Sequence, residues 1–324
     1  MRILPRSGFV QQFIQADAAS RRGLIEALAL RRLPMTVIVD FTSDWKQYVE
    51  HEIASQGYTV DTGEDLRSLS YKLFNLKKRR ISATPRKVLE AKTFSCPVTL
   101  ANSYALLKKK LEDGHDVCPH LSKFLLRDDY EDPLLNDWGI HHFHLGQKPD
   151  KSGFIERTGS LLFAHVTADS VFCLGVYRHG SWTQQGLILA IHENWPDVIS
   201  TKKINGIIAL SHTPTNDEIA QLRKAGVQTM VQVAPGIVYA PLGGGYSTAG
   251  TSVESTMRVN WYMRLLRNLE DHIKENTEKY TARILELGYT HESPPSFALM
   301  INDKGFFAVE KGSGVAFLVY PHEG

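Results

Sequence analysis

Cysteines are few in this chain, and none is placed where a disulfide or zinc framework would need it. Cys96, Cys118 and Cys173 are the only three among 324 residues, and no two of them form a CxxC pair. An odd, scattered set is typical of a reducing compartment, where free cysteines pack as small apolar side chains. We therefore predict a cytoplasmic protein without a disulfide framework.

Long apolar runs and several catalytic motifs are absent as well. No run approaches the roughly 20 apolar residues that cross a bilayer, so we expect no membrane partner. There is no GxSxG nucleophile elbow, no Walker A loop and no internal repeat. The Gly243–Gly245 triplet precedes a predicted helix, and its role stays open between weak phosphate binding and a flexible or substrate-contacting loop.

What is present indicates an α+β fold. With 43% apolar and 22% charged residues, the composition is that of a globular protein. We predict three regions: 1–115, mixed, largely helical and basic; 116–200, a small antiparallel sheet with packed helices; and 201–324, an α/β region. Three strands of the middle region form a predicted meander, namely one around His141–His144, then Arg157–Val166 and Val171–Arg178, followed by a helix over Gln184–Glu193 capped by Ser181 or Thr183.

Periodicity and end signals predict further elements outside this meander. The predicted helices cover Arg21–Arg32, Asp44–Gln56 with Asp44 as cap, Glu64–Arg80, Pro97–Asp113, a segment from Thr215 or Asn216 to Gly226, and Val253–Leu287 in one or two pieces. The predicted strands cover Thr36–Val39, Ile204–Leu210, Val227–Val233 and Ile237–Ala240, with a meander over Ser296–Tyr320.

Positive charge is concentrated in one segment. The segment from Arg67 to Lys110 contains twelve basic residues and a single acidic residue, Glu90. It therefore carries a net charge of +11, and the rest of the chain carries −9. Such a block suits a polyanion, although it could instead pair with the acidic cluster Asp128–Asp132. The predicted nucleic-acid contacts are Lys77, Lys78, Arg79, Arg80, Arg86, Lys87, Arg178 and, by base stacking, Trp182.

Three histidines within four positions form the most informative feature. Side chains alternate along a strand, so His142 and His144 should share one face and His141 the other. RNA cleavage without a metal needs a base, an acid and a cation for the charged phosphorane, and imidazole and guanidinium supply all three. We predict a catalytic set of His142, His144, Arg157 and His179, with the first two as base and acid.

Two other interpretations of the histidines stay open. A metal site would combine His142 and His144 with His165 or His179, or would use His115, Cys118 and His120. Alternatively, the histidines are structural members of a half-buried sheet. We predict no metal and no cofactor.

The segment Arg157–Trp182, with its two strands and the ending Tyr-Arg-His-Gly-Ser-Trp, resembles the central hairpin of RelE/ParE-type toxins. That superfamily resembles barnase, EndoU and colicin nucleases, which are small antiparallel sheets with packed helices. The resemblance extends over about 60 residues and implies metal-free RNA cleavage, with Arg157 and His179 at phosphate-binding and acid–base positions.

Together these observations predict a metal-independent endoribonuclease of a toxin or phage-defence system, acting on RNA in preference to DNA. A protein partner or a second copy of the chain is also possible. The alternatives are a non-catalytic nucleic-acid-binding subunit and a metal-dependent hydrolase that uses the histidine cluster.

Overall fold

The computed structural model describes residues 36–287 and 294–322 and has an α+β fold, as predicted. The chain groups into two compact units, one within residues 1–70 and 260–324 and the other formed by residues 71–259. Both predicted region boundaries, near residues 115 and 200, fall inside this second unit. The predicted helix Arg21–Arg32 lies outside the described residues.

The elements are numbered in chain order. The α-helices are α1 (Phe41–Ser55), α2 (Leu66–Arg79), α3 (Ala101–Asp113), α4 (Pro133–Trp138), α5 (Gly186–Asn194), α6 (Asn216–Lys224), α7 (Val253–Glu275) and α8 (Thr277–Glu286). The strands are β1 (Ile38–Val39), β2 (Lys87–Glu90), β3 (Ile140–His144), β4 (Ser160–Val166), β5 (Ser170–Arg178), β6 (Val231–Ala234), β7 (Ile237–Tyr239), β8 (Ser296–Asn302), β9 (Gly305–Glu310) and β10 (Ala316–Pro321).

The second unit is built on a four-stranded sheet in the order β2-β5-β4-β3. The meander β3-β4-β5 is antiparallel, as predicted. The sheet as a whole is mixed, however, because β2 pairs in parallel with β5. The predicted antiparallel meander is thus extended by one parallel strand that the sequence analysis did not predict. The basic, proline-flanked segment around Lys87 was not recognised as a strand, since its four residues are too short to show an alternating pattern.

Helices cover both faces of this sheet. On one face Ile140, Phe163 and Leu174 are fully buried in a core that α5 and α6 complete. On the other face Phe143, Leu162 and Cys173 are fully buried in a core shared with α3. Burial on both faces explains why β4 and β5 are runs of apolar residues rather than alternating ones. The sheet is thus a rigid support for the side chains at its ends.

Helix starts differ from the prediction where capping was inferred from composition. Asp40, and not Asp44, caps α1, because its carboxylate accepts a hydrogen bond from the Ser43 N–H at 2.9 Å. Helix α5 begins at Gly186 after Gln185 and has no side-chain cap, so neither Ser181 nor Thr183 caps it. In contrast, Thr215 caps α6 through a complete capping box with Glu218, as predicted.

Most remaining elements agree with the sequence. Helices α2, α3, α7 and α8 and strand β7 lie within their predicted segments, and β6 overlaps its predicted segment but ends one residue later, at Ala234. The segment Ile204–Leu210 is not a strand; its backbone forms loop and turn, and Ile208 is 85% exposed. Within the described residues no helix is long and apolar enough to cross a membrane.

The first unit contains its own sheet, in the order β1-β8-β9-β10. Strands β8, β9 and β10 form the predicted antiparallel meander, and β1 pairs in parallel with β8. Aromatic packing holds this unit together, with Trp45 stacked on Tyr262 at 4.5 Å and Tyr280 against Phe297 at 5.9 Å between ring centroids. The histidine cluster lies in the second unit.

Candidate histidine site

The candidate site lies at one end of the second unit's sheet, where β3 ends, β4 begins and β5 ends. The strand register places His144 opposite Leu161, and Leu161 opposite Tyr177. Arg157 comes shortly before β4, and His179 directly follows β5. Antiparallel pairing therefore brings to one sheet end residues that are up to 37 positions apart in the sequence.

His142 and His144 share one face of the sheet, as their spacing predicts. Their ring centroids are 6.4 Å apart. The indole of Trp182 lies between two of the predicted catalytic imidazoles, 4.8 Å from His142 and 5.0 Å from His179. It also contacts Phe163 at 5.4 Å, which ties the cluster to the buried face of the sheet. Trp182 is half-buried and packs against the histidine rings.

Burial keeps the two central imidazoles neutral. Desolvation, with smaller contributions from the nearby His142 and Arg157, lowers the pKa of His144 to about 4. Burial also lowers the pKa of His142; Asp132 opposes this shift, while His179 and Arg157 reinforce it. Both rings are therefore uncharged at neutral pH. The role of His144 as the acid stays a prediction, and its low pKa disfavours that role because the ring is unprotonated at pH 7.

The histidines differ in access to solvent. His144 is only 3% exposed, His142 is half-buried, and Arg157 and His179 are exposed. The exposed groups lie on the loops that flank β4 and β5, whereas the buried ones lie on the strand itself. A ligand that approached this end of the sheet would meet Arg157 and His179 first and His142 next.

His120 belongs to the cluster, although the predicted catalytic set omits it. Its Nδ1–H donates to the His144 carbonyl at 2.9 Å, and its Nε2 accepts from the Lys110 ammonium at 3.1 Å. An ammonium group can only donate hydrogen bonds, so these two contacts fix the tautomer of His120. His120 anchors the end of β3. Sequence analysis names His120 only as a metal-ligand candidate, because its partner on β3 is a backbone carbonyl that no side-chain motif marks.

One small pocket borders the cluster on the outer side of the edge strand β3. It has a volume of about 20 Å³, enough for about one water molecule. The Nδ1 atoms of His142 and His144 are buried and have no hydrogen-bond partner among the described residues. The pocket is lined by Arg79, Leu121, Ser122, Leu125, Tyr130, Asp132, Leu135, His141 and His142.

Several of the basic residues predicted to bind nucleic acid have structural partners instead. Lys78 donates to the Gly243 carbonyl at 2.7 Å and pairs with Glu254 at 3.1 Å. The guanidinium of Arg79 donates to the carbonyls of two residues in the segment that follows α3, Phe124 and Arg127.

Arg86 is used in the same way. Its guanidinium donates to the carbonyls of Ser82, Thr84 and Thr167. Arg79 and Arg86 are 5% and 7% exposed, so neither can reach a phosphate backbone. The sequence could not separate these two arginines from surface cations, because a count of charges carries no information on burial.

The basic segment also pairs in part with the acidic cluster Asp128–Asp132, which was the alternative interpretation. Lys72 forms an ion pair with Asp128 at 2.9 Å. The guanidinium of Arg79 lies 5.8 Å from the centroid of the Tyr130 ring. Part of the +11 charge of this segment is therefore compensated within the second unit.

The other predicted nucleic-acid contacts do not form one surface. Lys77, Lys87 and Arg178 are exposed, and Arg80 is half-buried. Lys87 is paired with Ser170 at the start of β5, whereas Arg178 ends that strand. Eight strand residues at about 3.3 Å each put Lys87 and Arg178 roughly 26 Å apart. Arg178 and Trp182 lie at the sheet end that carries the histidines, and Lys87 does not.

The predicted metal sets are not assembled. Among residues 36–287 and 294–322 there is no group of three or more His, Cys, Asp or Glu side chains that could hold a metal ion. His165 Nδ1 bonds the Gly139 carbonyl, both ring nitrogens of His120 have protein partners, and Cys118 donates to the Ile81 carbonyl.

The glycine triplet has a packing role. The N–H groups of Gly243 and Gly245 donate to the carbonyls of Asp137 and Asn136 at the end of α4, so they are not free for a phosphate. A Cβ atom at Gly243 would lie 2.1 Å from the Leu135 carbonyl oxygen. The triplet lets the loop approach α4 closely.

Comparison with protein families, curated proteins and solved structures gives no match to this chain. The resemblance to RelE/ParE-type toxins accordingly stays a prediction.

Proposed function

We propose that this protein is a metal-independent endoribonuclease whose site is the histidine cluster at the end of the β3-β4-β5 meander. The observation that carries the proposal is the packing of His142 and His179 against Trp182 at one sheet end, with Arg157 near enough to lower the pKa of His142. A neutral imidazole, an exposed imidazole and a guanidinium are the three groups that cleavage of RNA by its own 2′-hydroxyl requires. The resemblance to RelE/ParE-type toxins points to the same chemistry.

In the proposed reaction, His142 accepts the proton of the ribose 2′-OH because burial keeps its ring neutral. The 2′-oxygen then attacks the adjacent phosphorus, and the bond from phosphorus to the 5′-oxygen breaks. His179, which is exposed, protonates the departing 5′-oxygen. Arg157 binds the phosphoryl oxygens and stabilises their extra charge. The products are a 2′,3′-cyclic phosphate and a 5′-hydroxyl.

This assignment gives His144 a supporting role in place of proton donation. Its ring is 3% exposed, which leaves no path for an RNA hydroxyl to reach it. Its neighbour His142 is the better placed base, and the His144 ring lies beside it, 6.4 Å away between ring centroids. The reducing cytoplasm, where RNA is abundant, suits the free thiols of all three cysteines.

The second candidate is a non-catalytic nucleic-acid-binding subunit in which the histidines are structural. The burial of His144 and the tight packing of Trp182 against the His142 and His179 rings favour it. A structural cluster of this kind needs no opening for substrate. The two candidates differ in what substitution of an exposed histidine does.

The test compares single substitutions in an RNA-cleavage assay with melting temperatures measured in parallel. His179→Ala and His142→Gln should each lower the cleavage rate at least 100-fold while His179→Ala leaves the melting temperature unchanged. His51→Ala is the matched control, because His51 is an exposed histidine on α1. Full activity in a folded His179→Ala protein would remove His179 from the mechanism. Lower melting temperatures without any measurable cleavage by the unsubstituted protein would favour the binding subunit.

A further inference from the structure

Asp137 and Arg223 form a buried ion pair next to the Trp182 backbone, in the second unit. Asp137 lies in the last turn of α4 and Arg223 belongs to α6, and their side chains are only 1% and 8% exposed. Two guanidinium nitrogens of Arg223, Nε and Nη2, donate to Asp137 Oδ2 at 3.1 and 2.7 Å. The guanidinium also lies 4.7 Å from the centroid of the Trp138 ring.

The third contact of this guanidinium leads to the histidines. Arg223 Nη1 donates to the backbone carbonyl of Trp182 at 2.7 Å. Trp182 lies on the segment between β5 and α5, which has no regular secondary structure to fix it. Its indole separates the His142 and His179 rings. Arg223 is thus the polar contact that ties the Trp182 backbone to two helices.

Stability alone gives a weak reason for this arrangement. Burial raises the pKa of Asp137 even beside Arg223, so ionising that carboxyl inside the protein is costly. A buried ion pair often contributes no more to stability than apolar side chains of similar size, but it fixes geometry because both groups must be satisfied. The Oδ1 atom of Asp137 is buried without a hydrogen-bond partner among the described residues.

We infer that Arg223, held by Asp137, is a positioning residue of the candidate site: it fixes the Trp182 backbone, and the Trp182 ring sets the separation of the His142 and His179 imidazoles. This inference rests on the proposed function for its catalytic consequence only. The geometric part concerns the two histidines, and it can be measured whether or not the protein cleaves RNA. The charged groups that act on His142, apart from His179, are Asp132 and Arg157.

The experiment uses Arg223→Lys in the full chain. Lysine keeps the positive charge beside Asp137 but cannot donate to both Asp137 and Trp182 in the fork geometry of arginine. The first readout is titration of the His142 and His179 ring signals by NMR, assigned through the His142→Gln and His179→Ala proteins. The second is the dependence of the RNA-cleavage rate on pH.

Thr215→Ala is the matched control on the same helix. It removes the hydroxyl that caps α6 and so loosens that helix, while every contact of Arg223 remains. We expect Arg223→Lys to shift the histidine titration and to lower kcat roughly 10- to 100-fold with little change in KM. We expect Thr215→Ala to lower the melting temperature while leaving the histidine titration as it is.

Histidine titration curves in a folded Arg223→Lys protein that superimpose on the original would overturn the inference. Equal shifts in Arg223→Lys and Thr215→Ala would also overturn it, since general loosening of α6 would then explain both. If Arg223→Lys does not fold, the isosteric Asp137→Asn variant is measured in the same way. A shifted titration in a protein that does not cleave RNA would contradict the proposed function and leave the positioning role standing.

Discussion

At the scale of single residues, burial decides which polar groups are chemically available. Burial lowers the pKa of His141 to about 3 and that of His144 to about 4, so both are neutral at pH 7. The guanidinium groups of Arg79 and Arg86 donate hydrogen bonds to backbone carbonyls. What remains for contact with a ligand at the sheet end is a short set of exposed groups: Arg157, Arg178 and His179.

The cysteines give a prediction at this scale. Desolvation raises the pKa of Cys173 to about 11 and raises that of Cys96 and Cys118 as well. Thiolates are the reactive form, so all three thiols should react slowly with a disulfide reagent in the native protein at pH 8. The measurement is the rate of thiol labelling, with the urea-unfolded protein as control. One thiol that reacts as fast in the native as in the unfolded protein would contradict this.

Residue types and spacing predicted much of the site but not its chemistry. Alternation along a strand was enough to put His142 and His144 on one face. It could not tell that His144 is enclosed, because enclosure comes from the packing of distant segments. The basic block from Arg67 to Lys110 predicted a polyanion surface, yet its net charge does not distinguish exposed Lys87 from buried Arg86.

At the scale of elements, the glycine loop shows how a local sequence pattern can point to the wrong role. Glycine triplets before a helix suggest phosphate binding, but this loop uses its N–H groups on the end of α4. The capping of α1 by Asp40 shows the same limit. Two aspartates stood within reach of the helix start, and the side chain of Asp44 bonds the Leu299 N–H instead.

Substitution of Gly243 tests this packing. Gly243→Ala would place a Cβ atom 2.1 Å from the Leu135 carbonyl oxygen and 2.6 Å from that of Asn136. Because both neighbours are backbone, we expect a loss of about 1–3 kcal/mol in the free energy of unfolding, measured by urea denaturation.

Gly186→Ala is the control, since a Cβ at Gly186 meets nothing within 4 Å at the start of α5. It should be neutral or stabilise the protein by about 0.4–1 kcal/mol. An equal loss in both variants would mean that Gly243 does not hold the loop against α4.

At the scale of the whole molecule, the buried histidines make stability depend on pH. An unfolded histidine titrates near pH 6.5, whereas His144 in the folded protein titrates at about 4. Below pH 6.5 the unfolded chain therefore binds a proton that the folded protein does not. The contribution of the neutral His144 ring to the free energy of unfolding is complete above pH 6.5 and is lost as the pH falls towards 4.

For His144 alone this amounts to about 2 kcal/mol between pH 7 and pH 5. We expect urea denaturation to give a lower free energy of unfolding at pH 5 than at pH 7. The difference should shrink in His144→Gln and persist in His51→Gln, where the substituted histidine is exposed. A free energy of unfolding that is the same at both pH values would contradict the burial of His144 as a neutral ring.

The proposed cleavage of RNA by imidazole and guanidinium groups of the second unit can be tested by incubating the purified protein with RNA in the presence of EDTA, with the His179→Ala protein alongside. We expect the RNA to be cleaved to fragments with 2′,3′-cyclic phosphate ends, and the His179→Ala protein to be at least 100-fold slower. Intact RNA under these conditions, or cleavage that EDTA abolishes, would contradict the proposal.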